Sequence, residues 1–419
     1  MKNKQYVVAL SFANYLKDKT GMPKVMMEHQ EMYNKAGISY VSLFSVKKNI
    51  LHDKVMLFCK FGLIIDGEFK GVYQLSQIIA MFSKWEMKGC QLLDIHIHHL
   101  LYVDLNLVSE LLSACMDTPI KIYLHDYYYA CTQYNLLRED KYCGGLGLND
   151  VSCTGCPEYS RSRQMQEKIH ALFRNYLNRI TFISPSETTK NIFLCFHPEY
   201  EKQVLVIPHQ KYDSRYKGNL VRLDTDEKIK VGFLGMPKRS KGWDAWCKVV
   251  EGCSDSGYEF YVFNSSEDQY PGMKKVHVAF SKDNLNAMTD ALRNNQIQVV
   301  LLWAIWPETY SYTCFEAFSA NAFIITNEDS GNIVDVVRDN RIGIILKNES
   351  ELDELFKNAP LLKRKINEFR ETSQGGPNEL YENDEIVKKT LANVGKSKIV
   401  PVNKLVNYPL LWILNAIYK

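Results

Sequence analysis

The sequence predicts an α/β protein with parallel sheets in two domains, and three observations carry that expectation. A chain of 419 residues exceeds what one ordinary core accommodates. Short β-rich apolar runs alternate with stretches of helical spacing along most of its length, the pattern of βαβ units. Residues 299–331, VVLLWAIWPETYSYTCFEAFSANAFIITNEDSG, contain the clearest such unit.

In that unit the apolar run 299–303 reads as a buried strand, 304–309 as a loop carrying Pro307 and Glu308, 311–320 as a helix and 323–326 as the next strand. The loop leaves the carboxyl end of its strand, where open α/β sheets bind ligands. Glu308 and Glu316 have seven residues between them and face one crevice from different heights. Between them the first helical amides, around Tyr310, Ser311, Tyr312 and Thr313, have no intrahelical acceptor and suit an anion. Carboxylates accept from hydroxyls and amides bind phosphate, so a sugar nucleotide satisfies both. Taken alone, the glutamate pair also fits a surface residue and a polar helix face.

Composition narrows the classes. Hydrophobic content of 46% with 24% charged residues describes a soluble globular chain. The 51 basic and 48 acidic residues leave a net charge of +3, which provides no strong field for nucleic acid. The 25 tyrosines suit stacking on sugars and bases. No apolar run reaches the ~18 residues of a membrane span. Residues 6–16 follow lysines like a signal peptide, but Lys17-Asp18-Lys19 and the lack of a small-residue cleavage site favour a first buried strand. Eleven cysteines, an odd and mostly scattered set, suit a reducing cytoplasm.

In the first half, strands are expected at 6–11, 38–44, 92–97, 120–124, 180–183 and 204–207, and helices at 25–35, 73–85, 164–178 and 187–193. Residues 14–23 read as a loop whose single glycine is Gly21, followed by Lys24. His96 and His98 alternate on one strand and so share a face; with no third ligand at metal spacing, packed histidines are favoured over a metal pair. His125 stands at a strand's carboxyl end, in reach of a crevice. Cys131, Cys143, Cys153 and Cys156 fall within 26 residues, and Cys153-Thr-Gly-Cys156 has the spacing of a zinc knuckle. Structural zinc, free thiols and a disulfide all remain open readings of that cluster.

In the second half, residues 210–227 read as a polar linker and 229–234 as the first strand. The loop after it, Gly235-Met-Pro-Lys238-Arg239-Ser-Lys241-Gly242, hinges on glycine and is basic, a cradle for a diphosphate or else a solvated turn. A helix continues through 245–250, strands follow at 258–264 and 276–280, and a helix at 285–292. Gly331 opens another helix, 343–346 is the final strand, and helical segments run to about 394. The apolar tail 405–418, interrupted by Pro409, is too short to span a bilayer. It either lies on a membrane surface through Trp412 and Ile413 or packs back as a terminal helix.

The run PETYSYTCFEAFSANAFIIT resembles the signature of the retaining GT-B glycosyltransferases (group 1, family 4-like), with Pro307, the Glu316-Ala317 pair and the following strand in place. The fragments DIHIH at 94–98, HDYYYACTQYNLL from His125, and YCGG with its CxxC are similar to members that assemble bacterial surface polysaccharides. The resemblance implies two Rossmann-like domains facing across a cleft: an acceptor domain at 1–208 with the cysteine-rich loop, a donor domain at 209–394, and a tail at 395–419. It implies transfer of a sugar from a nucleotide donor to a hydroxyl of a lipid-linked or oligosaccharide acceptor, with retention, in cell-surface polysaccharide synthesis.

By the same resemblance Glu316 holds the ribose, Glu308 lies beside the donor sugar, His125 faces that sugar, and Lys241 neutralises the leaving diphosphate. Met236 stands where the family has an arginine, so Arg239 or Lys238 is expected to supply that charge. Gly21 and Lys24 would touch the acceptor. No catalytic metal is implied. The chain is expected in the cytoplasm or at the inner face of the membrane, and without nucleic-acid partners. A non-catalytic sugar-nucleotide-binding subunit and a GT-B epimerase are the competing expectations.

Overall fold

The computed structural model describes residues 3–18, 20–46, 60–213, 222–224, 226–253, 257–279, 284, 286–372, 379–393, 395 and 397–418. The first half contains β1 (Gln5–Ser11), α1 (Gly21–Lys35), β2 (Ile38–Ser45), β3 (Lys60–Ile65), β4 (Glu68–Gln74), α2 (Leu75–Met87), β5 (Gln91–Ile97) and α3 (Leu105–Ala114). It continues with β6 (Cys115–Met116), β7 (Ile120–Tyr123), β8 (Leu137–Arg138), β9 (Lys141–Tyr142), α4 (Val151–Thr154), α5 (Tyr159–Asn175), β10 (Ile180–Ser184), α6 (Glu187–Phe196) and β11 (Val204–Val206). The second half contains β12 (Gln210–Asp213), β13 (Ile229–Leu234), α7 (Trp243–Cys253), β14 (Tyr258–Asn264), β15 (Lys274–His277), α8 (Ala287–Asn294), β16 (Val299–Leu302) and α9 (Tyr312–Ser319). After these come β17 (Phe323–Asn327), α10 (Asn332–Asn340), β18 (Gly343–Leu346), α11 (Glu349–Lys357), α12 (Ala359–Thr372), β19 (Glu379–Glu382), α13 (Glu385–Ala392), β20 (Lys398–Ile399) and α14 (Tyr408–Tyr418).

The first sheet has the order β11-β10-β7-β5-β1-β2-β3-β4, parallel from β11 to β2. Its central strands are buried on both faces because helices cover both, as parallel sheets require. The second sheet is wholly parallel, β15-β14-β13-β16-β17-β18, the doubly wound order of a Rossmann-type domain. Each sheet has its own apolar core, with Trp246, Val262 and Ile324 in the second and Val8, Ile95 and Phe182 in the first.

Several elements differ from the sequence expectation. Residues 60–74 form an antiparallel hairpin, so Tyr73 lies in β4 and the helix starts at Leu75. The hairpin turns on Asp66 (φ 50°) and Gly67 (φ 82°), the Asp-Gly pair that such turns favour. The proposed 14–23 loop is shorter, since Gly21 already opens α1. Residues 210–213, read as linker, pair antiparallel with β19 instead. α3 was not anticipated, and α5 begins before residue 164. Expectations at Phe280, Leu285, Val394 and within 214–221 lie outside the described residues.

The chain returns to the first sheet before the expected limit at 394. Ile386 and Val387 of α13 join the cluster around Tyr33 and Tyr123. The Thr390 hydroxyl lies 2.7 Å from that of Tyr33. α14 packs on the edge strand β4, where the Asn415 carboxamide accepts from the Val72 N–H (2.8 Å) and donates to its carbonyl (3.1 Å). Trp412 and Ile413 remain exposed. Among the described residues no helix is long and apolar enough to cross a membrane.

Candidate functional site

The chain leaves β13 toward β14 on one side and leaves β16 toward β17 on the other. This reversal opens a crevice at the carboxyl ends of the two strands, the ligand position of doubly wound sheets. The loops that emerge there are the basic loop 235–242 and the glutamate loop 303–311. Two glycines let them approach. A Cβ on Gly242 (φ 79°) would stand 2.1 Å from the Trp303 carbonyl oxygen, and one on Gly331 (φ 63°) would stand 2.5 Å from the Glu308 nitrogen. The Asn332 N–H then donates to the Glu308 carbonyl at 2.8 Å, and the Asn327 and Ser330 side chains donate to the Ala304 carbonyl. The glutamate loop is therefore held by its backbone.

Glu308 is buried. Burial raises its pKa, opposed by the Lys241 charge and a hydrogen bond from the Trp306 side chain. Lys241 ends a 3-10 turn (Arg239–Lys241), and its ammonium lies 4.0 Å from where a Gly235 Cβ would be. Glycine at 235 (φ 92°) thus keeps the space over the loop open. Arg239 does not join this group, because Asp140 (2.6 Å) and Asp244 (3.1 Å) hold its guanidinium. Lys238 is exposed. Of the three expected cations, the structure places Lys241 beside Glu308.

α9 begins at Tyr312, with the Ser311 hydroxyl accepting from the Cys314 N–H as its N-cap. The Thr313 hydroxyl lies 3.1 Å from that of Ser311. The Tyr310 ring stacks on Phe315 and is core, so only its backbone belongs to the crevice. Glu316 is 3% exposed. Its Oε1 pairs with Lys24 of the first domain at 3.2 Å, while Oε2 is buried with no hydrogen-bond partner. A buried carboxylate oxygen left unmatched is costly, and a ligand hydroxyl would satisfy it.

Lys24 also lies 3.9 Å over the Tyr312 ring, and the Tyr312 hydroxyl donates to Glu28 at 2.7 Å. Lys24 and Glu28 are four apart on α1, as are Tyr312 and Glu316 on α9, so the two helices meet along matched faces. Burial, opposed by the Lys24 charge, lifts the Glu28 carboxyl to about 7. The sequence expectation put Lys24 at the acceptor; the structure seats it on the carboxylate assigned to the donor. Gly21 opens α1, and a Cβ built on it would meet nothing within 4 Å. Glu28 was missed, although its i,i+4 spacing from Lys24 was readable.

The facing wall is built mainly of imidazoles and phenols. His125 Nε2 lies 2.9 Å from His98 Nδ1, and His98 Nε2 lies 3.1 Å from the Tyr40 hydroxyl. The Tyr123 and Tyr33 hydroxyls engage both nitrogens of His96. α1 supplies the third histidine that the strand pattern lacked: ring nitrogens of His29, His96 and His98 come within 4.8 Å of one another. Hydroxyl and imidazole partners already engage His96 and His98, which makes this a packed network. Burial, with the neighbouring histidines adding to it, holds His125 well below the usual imidazole range. Held neutral, it is a hydrogen-bonding group. Its carbonyl accepts from the Thr309 hydroxyl at 2.7 Å, fixing the glutamate loop against this wall.

Cys131, Cys143, Cys153 and Cys156 line one cavity of ≈30 Å³ beneath the hairpin β8–β9. All are free, and the structure has no disulfide there.

No protein-family model matches the sequence, and no curated protein matches it. Solved structures do resemble it. Sucrose-phosphate synthase from Thermosynechococcus elongatus superposes with a TM-score of 0.54 at 11% identity, covering 93% of this chain and 95% of that one. WaaG, a glycosyltransferase involved in lipopolysaccharide biosynthesis, gives 0.51 at 11% identity, covering 93% of this chain and all (100%) of its own. HepE from Anabaena, in complex with UDP-glucose, gives 0.51 at 11%, covering 88% and 93%. Identities this low speak to architecture, and they agree with the two sheets described above. The chain has the GT-B fold, two Rossmann-like α/β domains facing one another across a cleft.

Proposed function

We propose that the protein is a glycosyltransferase that moves a sugar from a nucleotide donor to a hydroxyl of a lipid-linked or oligosaccharide acceptor, with retention of configuration, in cell-surface polysaccharide synthesis. The observation that carries this reading is the pair of buried carboxylates around one switch-point crevice, Glu308 beside Lys241 and Glu316 with an unmatched oxygen. Solved structures of the same fold include a lipopolysaccharide glycosyltransferase and a complex with UDP-glucose, which supports a nucleotide-sugar donor.

In this reading the free oxygen of Glu316 accepts from the ribose, the α9 amides and Lys241 face the diphosphate, and Glu308 faces the donor sugar. Lys241 stabilises the negative charge that develops as the diphosphate leaves. The acceptor hydroxyl attacks from the same face, and the departing phosphate takes its proton. No catalytic metal is called for. His125, neutral, donates to a sugar hydroxyl. Donor binding displaces Lys24 from Glu316, and reclosure of the two helices excludes water. Trp412 and Ile413 offer a peripheral contact with the membrane that carries a lipid-linked acceptor.

A second reading, a sugar-nucleotide-binding subunit without turnover, is favoured by one detail. Met236 is 42% exposed where the family has arginine, and Arg239 is engaged elsewhere. Incubation with labelled nucleotide sugars separates the readings. Hydrolysis or transfer supports the enzyme, tight binding without turnover supports the subunit, and a free epimer supports an epimerase.

A further inference from the structure

We infer that Cys131, Cys143, Cys153 and Cys156 bind one zinc ion, which fastens a flap reaching from the first domain to the basic loop of the second. The four thiols come from three separate pieces of chain: the segment after β7, the residue after β9, and α4 with the second residue beyond it. They converge on the same ≈30 Å³ cavity, which is room enough for a single ion. A structural tetrathiolate site is the usual zinc arrangement.

Between residues 136 and 147 six positions have positive φ, among them the Glu139 (49°) and Asp140 (60°) pair at the centre of the β8–β9 turn, as two-residue hairpin turns require. The apolar cluster under the flap has four buried members, Tyr127, Ala130, Leu136 and Phe196, and Cys131, Cys143 and Cys153 pack against it.

The sulfurs surround the cavity without being drawn together: no three of them lie within 4.8 Å of one another. Zn–S bonds of ~2.3 Å need S···S separations of roughly 3.8 Å. Binding therefore pulls the side chains inward and releases the thiol protons. Asp140, at the tip of the hairpin, accepts from Arg239 at 2.6 Å, and Trp306 of the glutamate loop packs on the flap's apolar cluster. Zinc here would thus brace both loops of the crevice. That consequence rests on the proposed function; the metal assignment does not.

The test is elemental analysis of the full chain purified without chelator, beside Cys153→Ser/Cys156→Ser and a Cys195→Ser control. One zinc per chain is expected in wild type and control, and loss of most of it in the double variant, which keeps only two of the four thiolate ligands. Cobalt exchanged into wild type should give an intense thiolate-to-cobalt charge-transfer band, a readout that survives if the variant does not fold. Substoichiometric zinc, iron in its place, a disulfide among the four, zinc retained by the double variant, or cobalt without that band would each overturn the assignment. If zinc is present but its removal leaves nucleotide binding unchanged, the metal stands and the bracing role falls.

Discussion

The two walls of the crevice bury polar groups in opposite ways. The first-domain wall buries imidazoles and phenols that stay neutral: His96, His98, His125, Tyr33, Tyr40 and Tyr123 hydrogen-bond one another, and His29 packs among them with its Nδ1 unmatched. The second-domain wall buries Glu308 and Glu316, which need a cation or a ligand to be tolerated. A network that is largely satisfied within itself is a scaffold. A wall with an unmatched carboxylate oxygen and a lysine beside its other carboxylate is built to receive something else.

The sharpest way to break this comparison is acid. Burial holds the His29 and His209 imidazoles down at about 3, and His96, His98 and His125 well below their usual range. The unfolded chain takes up protons near pH 6.5 and the folded chain does not. Stability is therefore full above that pH and falls as pH drops below it, by ~1.4 kcal/mol per pH unit for each such histidine. Thermal unfolding scans should show a steep fall in Tm between pH 6.5 and 4.5, and His29→Gln should lessen that slope by one histidine's share. A flat profile would mean the wall already accepts charge.

Next in size is Lys241→Ala. It should lower turnover by roughly 10²–10³-fold, the scale of losing one donor aimed at developing charge, and lower Tm as well, because buried Glu308 loses the cation beside it. An equal loss from Lys238→Ala would shift the cationic grip to a residue the structure leaves exposed. Gly331→Ala follows. The new Cβ would meet the Glu308 backbone at 2.5 Å in a left-handed conformation, at a cost of about 1–3 kcal/mol read as a lower Tm, with activity falling alongside.

The smallest effect sharpens the seam between the walls. Glu28 has a folded pKa raised to about 7, so the stability it contributes is present below its unfolded value and lost as pH rises toward 7. Glu28→Gln should therefore raise stability at pH 8, on the order of 1–2 kcal/mol, and leave it unchanged at pH 4. A loss at pH 8 would mean that the Glu28 charge supports Lys24.

The second wall was legible from sequence because its parts are local. Residues 299–326 spell strand, loop, helix and strand without interruption, and the glycines and Lys241 of the basic loop lie within eight positions. The first wall was legible only in pieces. His96, His98 and His125 showed as strand-end histidines, but their partners Tyr33, Tyr40 and His29 come from other elements that only tertiary packing brings together. The Lys24–Glu316 pair joins residues 292 apart, a contact no periodicity predicts. The hairpin β3–β4 was missed although Asp66-Gly67 marked its turn, because residues 75–85 have strong helical spacing that drew Tyr73 into the helix.

The central claim is that one extended nucleotide sugar touches both Lys241 and Glu316. Calorimetric titration of wild type, Lys241→Ala, Glu316→Ala and the double variant with nucleoside diphosphates and their sugars tests it most directly. Each single variant should lose affinity, with Glu316→Ala losing it for nucleosides bearing ribose and Lys241→Ala losing it in proportion to the phosphate charge. If Glu316→Ala binds every nucleotide as tightly as wild type, the ribose assignment fails and the account fails with it.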